Sequence, residues 1–317
     1  VTDSARNRRV ATIALLGVCV FWGATFTWMK TGLEGLRHVL PGAGMVAIGA
    51  FFLLVRFALA ALLMPVLVPA SVRRLGRPAW AWGFWLSLPF AAGFLLQIVG
   101  LTQHDLPPSQ SAFLTSLFVV ATPVLGALVT RRLPPRGVML GVPLALCGAA
   151  FIQGPPEGGL SLGAWLTIGC AVVFGVHILV TDVATKRADP MAVTLTMLVF
   201  STVWMALALV VAPGGLALLD ARELGAAFAN TDFVYTVVLC AVLATVVAVS
   251  VLNRWQKELH PSRAAIIYTA EPVFATLISF ALSDRERVSF WLFFGAAMIL
   301  AANLAAELIR PRPRSTP

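Results

Sequence analysis

Apolar runs of about 20 residues recur along this chain with only short polar breaks between them, which limits the fold before any motif is considered. A helix needs about 20 mostly apolar residues to cross the hydrocarbon core of a bilayer. In lipid each backbone N–H and C=O must also find its partner inside the chain's own helices. The runs fall near residues 10–30, 44–68, 80–101, 109–130, 136–153, 162–184, 190–212, 233–256, 262–282 and 288–309. Hydrophobic residues make up 59% of the 317 and charged residues only 12%, against about 25% in soluble domains. The expectation is an all-α membrane protein with ten transmembrane helices. The longest connection, near 213–232, has no room for a soluble domain. "RNRRVATIALLGVCVFWGATFTWM" is too long for a cleavable signal and reads as the first span.

A net charge of +9 suggests nucleic acid or an acidic partner until its placement is considered. On alternate sides of the expected spans, Lys and Arg divide 17 to 5, with the last of the 23, Arg56, inside a span. The rich side holds clusters such as Arg6, Arg8, Arg9 and Arg310, Arg312, Arg314; the poor side holds Lys30, Arg37, Arg222, Arg285 and Arg287. Basic residues favour cytoplasmic loops, so both termini are expected in the cytoplasm, and nucleic acid is not an expected partner. Cys19, Cys147, Cys170 and Cys240 lie in apolar runs without metal-ligand spacing and read as small apolar fillers.

The second half restates the first. "VFWGATFTW" (20–28) matches "VFGVHILVT" less its Trp, setting Trp22-Gly23 against Phe174-Gly175 and Thr25 against His177. "RFALAALLMP" (56–65) matches "WMALALVVAP" (204–213), and "PSQSAFLTSLFVVATPVLGAL" (108–128) matches "PSRAAIIYTAEPVFATL" (261–277). In the last pair, the later proline follows the Pro-Ser start by 15 residues in one copy and 11 in the other. The difference of four is close to one helical turn, so both prolines could face the same way. Two units are expected, 1–155 and 156–317, with five spans each. An odd number inverts the second copy in the membrane, an arrangement common in secondary transporters with the solute site near the midplane.

"FWGATFTWMK", "VRFALAALLM", "SAFLTSLFVVATPVLGAL" and "RAAIIYTAEPVFATLISFAL" resemble, in order and spacing, the EamA-type transporters of the drug/metabolite transporter superfamily. The resemblance covers nearly the whole chain. It implies ten helices in two inverted five-helix repeats in the bacterial inner membrane. It also implies alternating-access export or import of amino acids, metabolites or drugs, with proton coupling in many members. The chain departs from the pattern at "SDRERVSF", where Arg285 and Arg287 crowd the acidic residue that opens the last hairpin.

Candidate site residues are those whose chemistry is out of place in hydrocarbon. Glu271 lies about nine residues into the ninth span, roughly 14 Å deep at 1.5 Å per residue. An ionisable group at that depth faces a cavity or a partner. It serves either as proton carrier or as a clamp on backbone groups freed by Pro272. Arg56, also near mid-depth, could pair with Glu271, attract a carboxylate on the solute, or snorkel. His177 could relay protons or hold a neutral hydrogen bond between helices. Its neighbour Asp182, five residues on, reads as the end of the span. Trp22, Phe113 and Tyr268 could line a cavity for an apolar or aromatic solute, or simply pack. Thr25, Gln97, Thr115 and Ser116 offer hydrogen-bonding groups at cavity depth. Gly17, Gly23, Gly141, Gly148 and Gly175 allow close helix contact. Pro123 and Pro272 are candidate hinges, since each frees backbone groups.

The function expected is a secondary transporter of small organic solutes, with export favoured. Its partners would be a solute, membrane lipid and a coupling proton, and a homodimer is compatible with this. The other readings are an intramembrane enzyme, or a channel or structural membrane subunit. His38, His104, His177 and His260 are scattered, with no HExxH or GxSxG pattern, no Gly-rich phosphate loop and no metal set. No cofactor and no enzymatic activity are expected.

Overall fold

The computed structural model describes residues 2–103, 105–155, 159–259, 261–282 and 288–309. His104, His260, Arg285, Arg287, Arg310, Arg312 and Arg314 lie outside them. All regular structure among the described residues is helical. The helices are α1 (Thr2–Val39), α2 (Met45–Leu67), α3 (Ala70–Arg73), α4 (Arg77–Thr102), α5 (Pro108–Ser116), α6 (Phe118–Thr130), α7 (Arg136–Phe151) and α8 (Leu162–Ala184). They continue with α9 (Pro190–Val211), α10 (Ala221–Ala229), α11 (Thr231–Ala241), α12 (Ala248–Trp255), α13 (Pro261–Tyr268), α14 (Glu271–Leu282) and α15 (Phe290–Leu308).

Among the described residues, eight stretches are long and apolar enough to cross a bilayer, including Pro108–Thr130 across α5 and α6, and Thr231–Glu258 across α11 and α12. The protein is therefore an all-α, multi-pass membrane protein. Two of the ten expected spans fall short of that length. α7 has 16 residues, about 24 Å of helix. The ninth run is interrupted at Thr269 and Ala270, leaving the shorter apolar stretch Ile266–Leu282.

Local chemistry starts these helices where the sequence allows it. Ser161 Oγ accepts from Ala164 N, Asn230 Oδ1 from Phe233 N, and Ser289 Oγ from Trp291 N, each taking up a helix-start N–H. Asp189 caps α9 by accepting from Met191 N and Ala192 N, and Pro190 follows at the first helical position. Its carboxylate also meets Arg74 Nη1 at 2.7 Å. Partial burial favours the neutral acid there, but Arg74 and the two N–H groups outweigh it and hold the Asp189 carboxyl below its ordinary range. At the far end of α4 the spent carbonyls are collected by α1. Lys30 Nζ donates to Leu101 O at 2.7 Å and Gln103 O at 2.6 Å, and Arg37 Nη1 to Thr102 O at 2.7 Å. Cations suit that terminus because the helix dipole is negative there.

The largest core cluster is built around Phe26, Met29, Phe51, Phe52, Phe57 and Phe233 and joins α1, α2, α4, α9 and α11. α4 packs along α8 and α9, α2 along α9, and α1 along α11, α12 and α14. α7 and α15 form a tight pair of their own. A Cβ placed on Gly148 would lie 2.7 Å from Gly295 O, and one on Gly141 2.9 Å from Ala302 O. Gly137 N donates to Ile309 O at 3.2 Å. Small residues thus let two backbones touch, the usual basis of close helix contact in lipid.

Candidate functional site

One face of each of three long helices converges on a central cavity of about 220 Å³. α1 supplies Trp22, Thr25, Phe26 and Met29, which follow a spacing of three, four and seven and so share one stripe of the helix. α4 supplies Phe90, Phe94 and Gln97, and α8 supplies Phe174, His177 and Ile178, on the same logic. Arg56 enters from α2, Thr115 and Phe118 from the ends of α5 and α6, and Glu271 from the start of α14. The wall is closed by Ala244, Thr245 and Val249.

Ala244 and Thr245 belong to a π-helical segment, Val242–Val247, between α11 and α12. Such segments are rare and concentrate at functional sites, because the extra residue per turn displaces carbonyls from the helical ladder. Two contacts from other helices reach this segment, the first of them at a carbonyl. Trp22 Nε1 donates to Ala244 O at 3.0 Å. Arg56 Nε and Nη2 both donate to Thr245 Oγ1, each at 3.3 Å. Thr245 Oγ1 itself donates to Cys240 O, five residues back, at 2.9 Å.

Arg56 is only 3% exposed. Its guanidinium carbon stands 4.8 Å from the centre of the Phe94 ring, within cation–π range, and Nη1 contacts Met29 Sδ at 3.5 Å. Glu271 lines the same cavity, but the two form no ion pair within 4.0 Å. Gln97 Nε2 donates to Thr115 Oγ1 at 3.2 Å, and Thr25 Oγ1 to its own helix at Phe21 O. The His177 ring packs 5.3 Å from Phe90, and its Nδ1 is buried with no hydrogen-bond partner among the described residues. Asp182 turns away from it to Lys186 Nζ at 2.6 Å.

The cavity therefore gathers Trp22, Thr25, Arg56, Gln97, Thr115, His177 and Glu271 of the residues expected from sequence. Phe113, Ser116 and Tyr268 do not line it. Phe113 is buried against Leu114, Ile152 and Ile299. Ser116 Oγ donates to Phe113 O and accepts from Asn303 Nδ2 at 3.1 Å. Tyr268 stands behind Trp22, ring centres 6.2 Å apart. Pro123 and Pro272 lie in α6 and α14 outside the lining. Phe90, Phe94, Phe118, Phe174, Met29 and Thr245 are not singled out by sequence, since apolar residues and a threonine in an apolar run give no signal. Among the described residues no group of His, Cys, Asp or Glu could hold a metal ion.

Fold and site together define a polytopic helical membrane protein with a chamber between its spans. Residues 161–305 match the EamA-like transporter family. An uncharacterized transporter of Archaeoglobus fulgidus is 29% identical over 303 residues, 95% of this chain and 87% of that protein. Both findings support the reading of an EamA-type membrane transporter. A crystal structure of another protein, 16% identical, superposes over 97% of this chain and all of its own with a TM-score of 0.60, and so shares the fold.

Proposed function

We propose that the protein is a secondary transporter that carries a small organic solute through the central cavity by alternating access between two inverted five-helix repeats, 1–155 and 156–317. The carrying observation is that polar groups from both halves, Arg56 and Gln97 from the first and His177, Thr245 and Glu271 from the second, line one cavity whose other walls are mostly aromatic and aliphatic.

The packing supports the repeat. If spans one to five correspond to six to ten, the contact of α4 with α8 has its counterpart in α1 with α11, and that of α6 with α8 in α1 with α14. The contact of α4 with α9 matches that of α2 with α11. Single residues obey the same exchange. Arg56 bonds Thr245 across spans two and eight, and Trp204 Nε1 donates to Ser87 Oγ at 2.9 Å across seven and three. Export is the favoured direction within a family resemblance that covers both export and import, and the 17 to 5 charge split supports both termini in the bacterial cytoplasm. Glu271 and His177 are the proposed proton carriers, Pro123 and Pro272 the proposed hinges, and a homodimer the compatible assembly.

The purified chain reconstituted in liposomes is expected to show saturable counterflow of a labelled solute. A non-saturating leak would establish a channel instead, and chemical turnover without movement an enzyme.

A further inference from the structure

A guanidinium is charged at every accessible pH and carries five N–H groups in a planar fork. Every partner that Arg56 has among the described residues is neutral: the Thr245 hydroxyl, the Met29 sulfur and the faces of Phe94 and Phe57. Three of its N–H groups are taken up by those bonds, which leaves two. No carboxylate among the described residues lies within 4.0 Å, although Glu271 faces the same space. Keeping a buried charge without a counter-ion is costly, and replacing it by an apolar residue would remove that cost. The positive charge is therefore complementary to an anion that arrives from outside the chain.

The surroundings narrow that anion. The cavity, about 220 Å³, suits a small solute. Phe94 lies against Arg56, and Phe90, Phe118 and Phe174 line the rest of the cavity; such rings suit an apolar body and offer few donors to a doubly charged phosphate. A carboxylate matches the fork with two parallel hydrogen bonds and a single charge. The π segment completes the arrangement. Because Thr245 donates its own proton to Cys240 O, its oxygen is left to accept from Arg56, which fixes where the fork points.

We infer that the transported solute is a small organic acid with an apolar body, that its carboxylate docks on Arg56, and that Thr245 is the positioning residue for that guanidinium. This rests on the transporter reading above. The test is binding to the purified full chain of matched pairs: benzoate against benzyl alcohol, phenylacetate against phenylacetamide, and phenylalanine against phenethylamine. At least one carboxylate is expected to bind about tenfold or more tighter than its partner, the worth of roughly one good charge-assisted bond. Thr245→Val, nearly isosteric, should lower that preference about tenfold while leaving affinity for the compounds without a carboxylate unchanged. Arg56→Gln should abolish the preference; if it does not fold, Thr245→Val carries the test alone. Equal binding within every pair, or a Thr245→Val variant that keeps the full preference, overturns the inference. Counterflow in liposomes separates the two claims. Saturable exchange of a solute with no carboxylate preference sinks the inference and spares the transporter. Carboxylate binding without any exchange sinks the transporter and leaves only the docking of a carboxylate on Arg56.

Discussion

The segments 108–130 and 261–282 each begin with Pro-Ser and each break as a helix at the same place. Leu117, nine residues after Pro108, interrupts α5 and α6; Ala270, nine residues after Pro261, ends the break between α13 and α14. In both, the residue just before carries a hydroxyl that bonds back three residues. Ser116 Oγ donates to Phe113 O at 2.8 Å and Thr269 Oγ1 to Ile266 O at 2.7 Å. Such back-bonds compete with the helical ladder and bend it. The prolines, by contrast, are out of step, Pro123 six residues past its break and Pro272 two. What the two segments share is therefore the hydroxyl-marked break, and what differs is the residue it delivers to the cavity: Phe118 in one, Glu271 in the other. One backbone device serves two chemistries.

The strongest way to break this comparison is to remove the difference. Glu271→Gln is expected to reduce pH-driven uptake in liposomes by about 100-fold or more, the scale of losing a proton-transfer group, while solute exchange persists. Phe118→Leu should spare the pH dependence. If Glu271→Gln leaves pH-driven uptake intact, the carboxylate is structural and the two segments differ only in packing.

Helix contact gives the next test. A Cβ on Gly23 would lie 2.7 Å from Ala275 N, and one on Gly175 3.3 Å from Thr122 N; Ala275 and Thr122 each stand fourteen residues after the Pro-Ser start. At Gly23 backbone must move, whereas at Gly175 the tightest neighbour is a Leu125 methyl at 3.0 Å. Gly23→Ala should cost about 1–3 kcal/mol and Gly175→Ala under about 1 kcal/mol, read by thermal unfolding in detergent. Equal losses would mean that the two seams are equally tight.

The hydroxyls are expected to matter less, and unequally. Ser116→Ala leaves the buried Asn303 amide without an acceptor and should cost about 1–2 kcal/mol. Thr269→Ala loses only a local, solvent-accessible bond to Ile266 O and should cost about 0.5 kcal/mol. The smallest effect belongs to Pro272→Ala. Pro272 is the second residue of α14, where a helix has no use for its N–H, so stability should change by less than about 0.5 kcal/mol. Pro123 sits inside α6, and Pro123→Ala should raise the unfolding temperature by restoring a bond to Val119 O. A larger loss at Pro272 than at Ser116 would return the break to proline.

Much of this architecture is legible in the sequence alone. Hydrocarbon permits few polar groups, so Arg56, Gln97, His177 and Glu271 stand out, and each lines the cavity. Trp22 and Thr25 are legible because they stand beside Gly23 in a matched motif. The facing of an apolar residue is not legible where a helix meets lipid on one side and protein on the other, since both favour the same side chains. Phe113 and Phe118 therefore read alike, although one packs away from the cavity and the other lines it. Pairing the prolines also conceals the register, since it sets Glu271 against Thr122, whereas the breaks set it against Phe118. The π segment leaves no trace at all, because "VLATVV" is as apolar as its neighbours.

The glycine seam between α7 and α15 has a mechanical consequence. Sliding one helix over another requires side chains that can exchange rotamers, and here peptide planes meet with nothing between them. Neither helix lends a residue to the cavity. In the alternating access proposed above, this pair would serve as a bearing post, holding its axis while the helices that line the chamber change its shape.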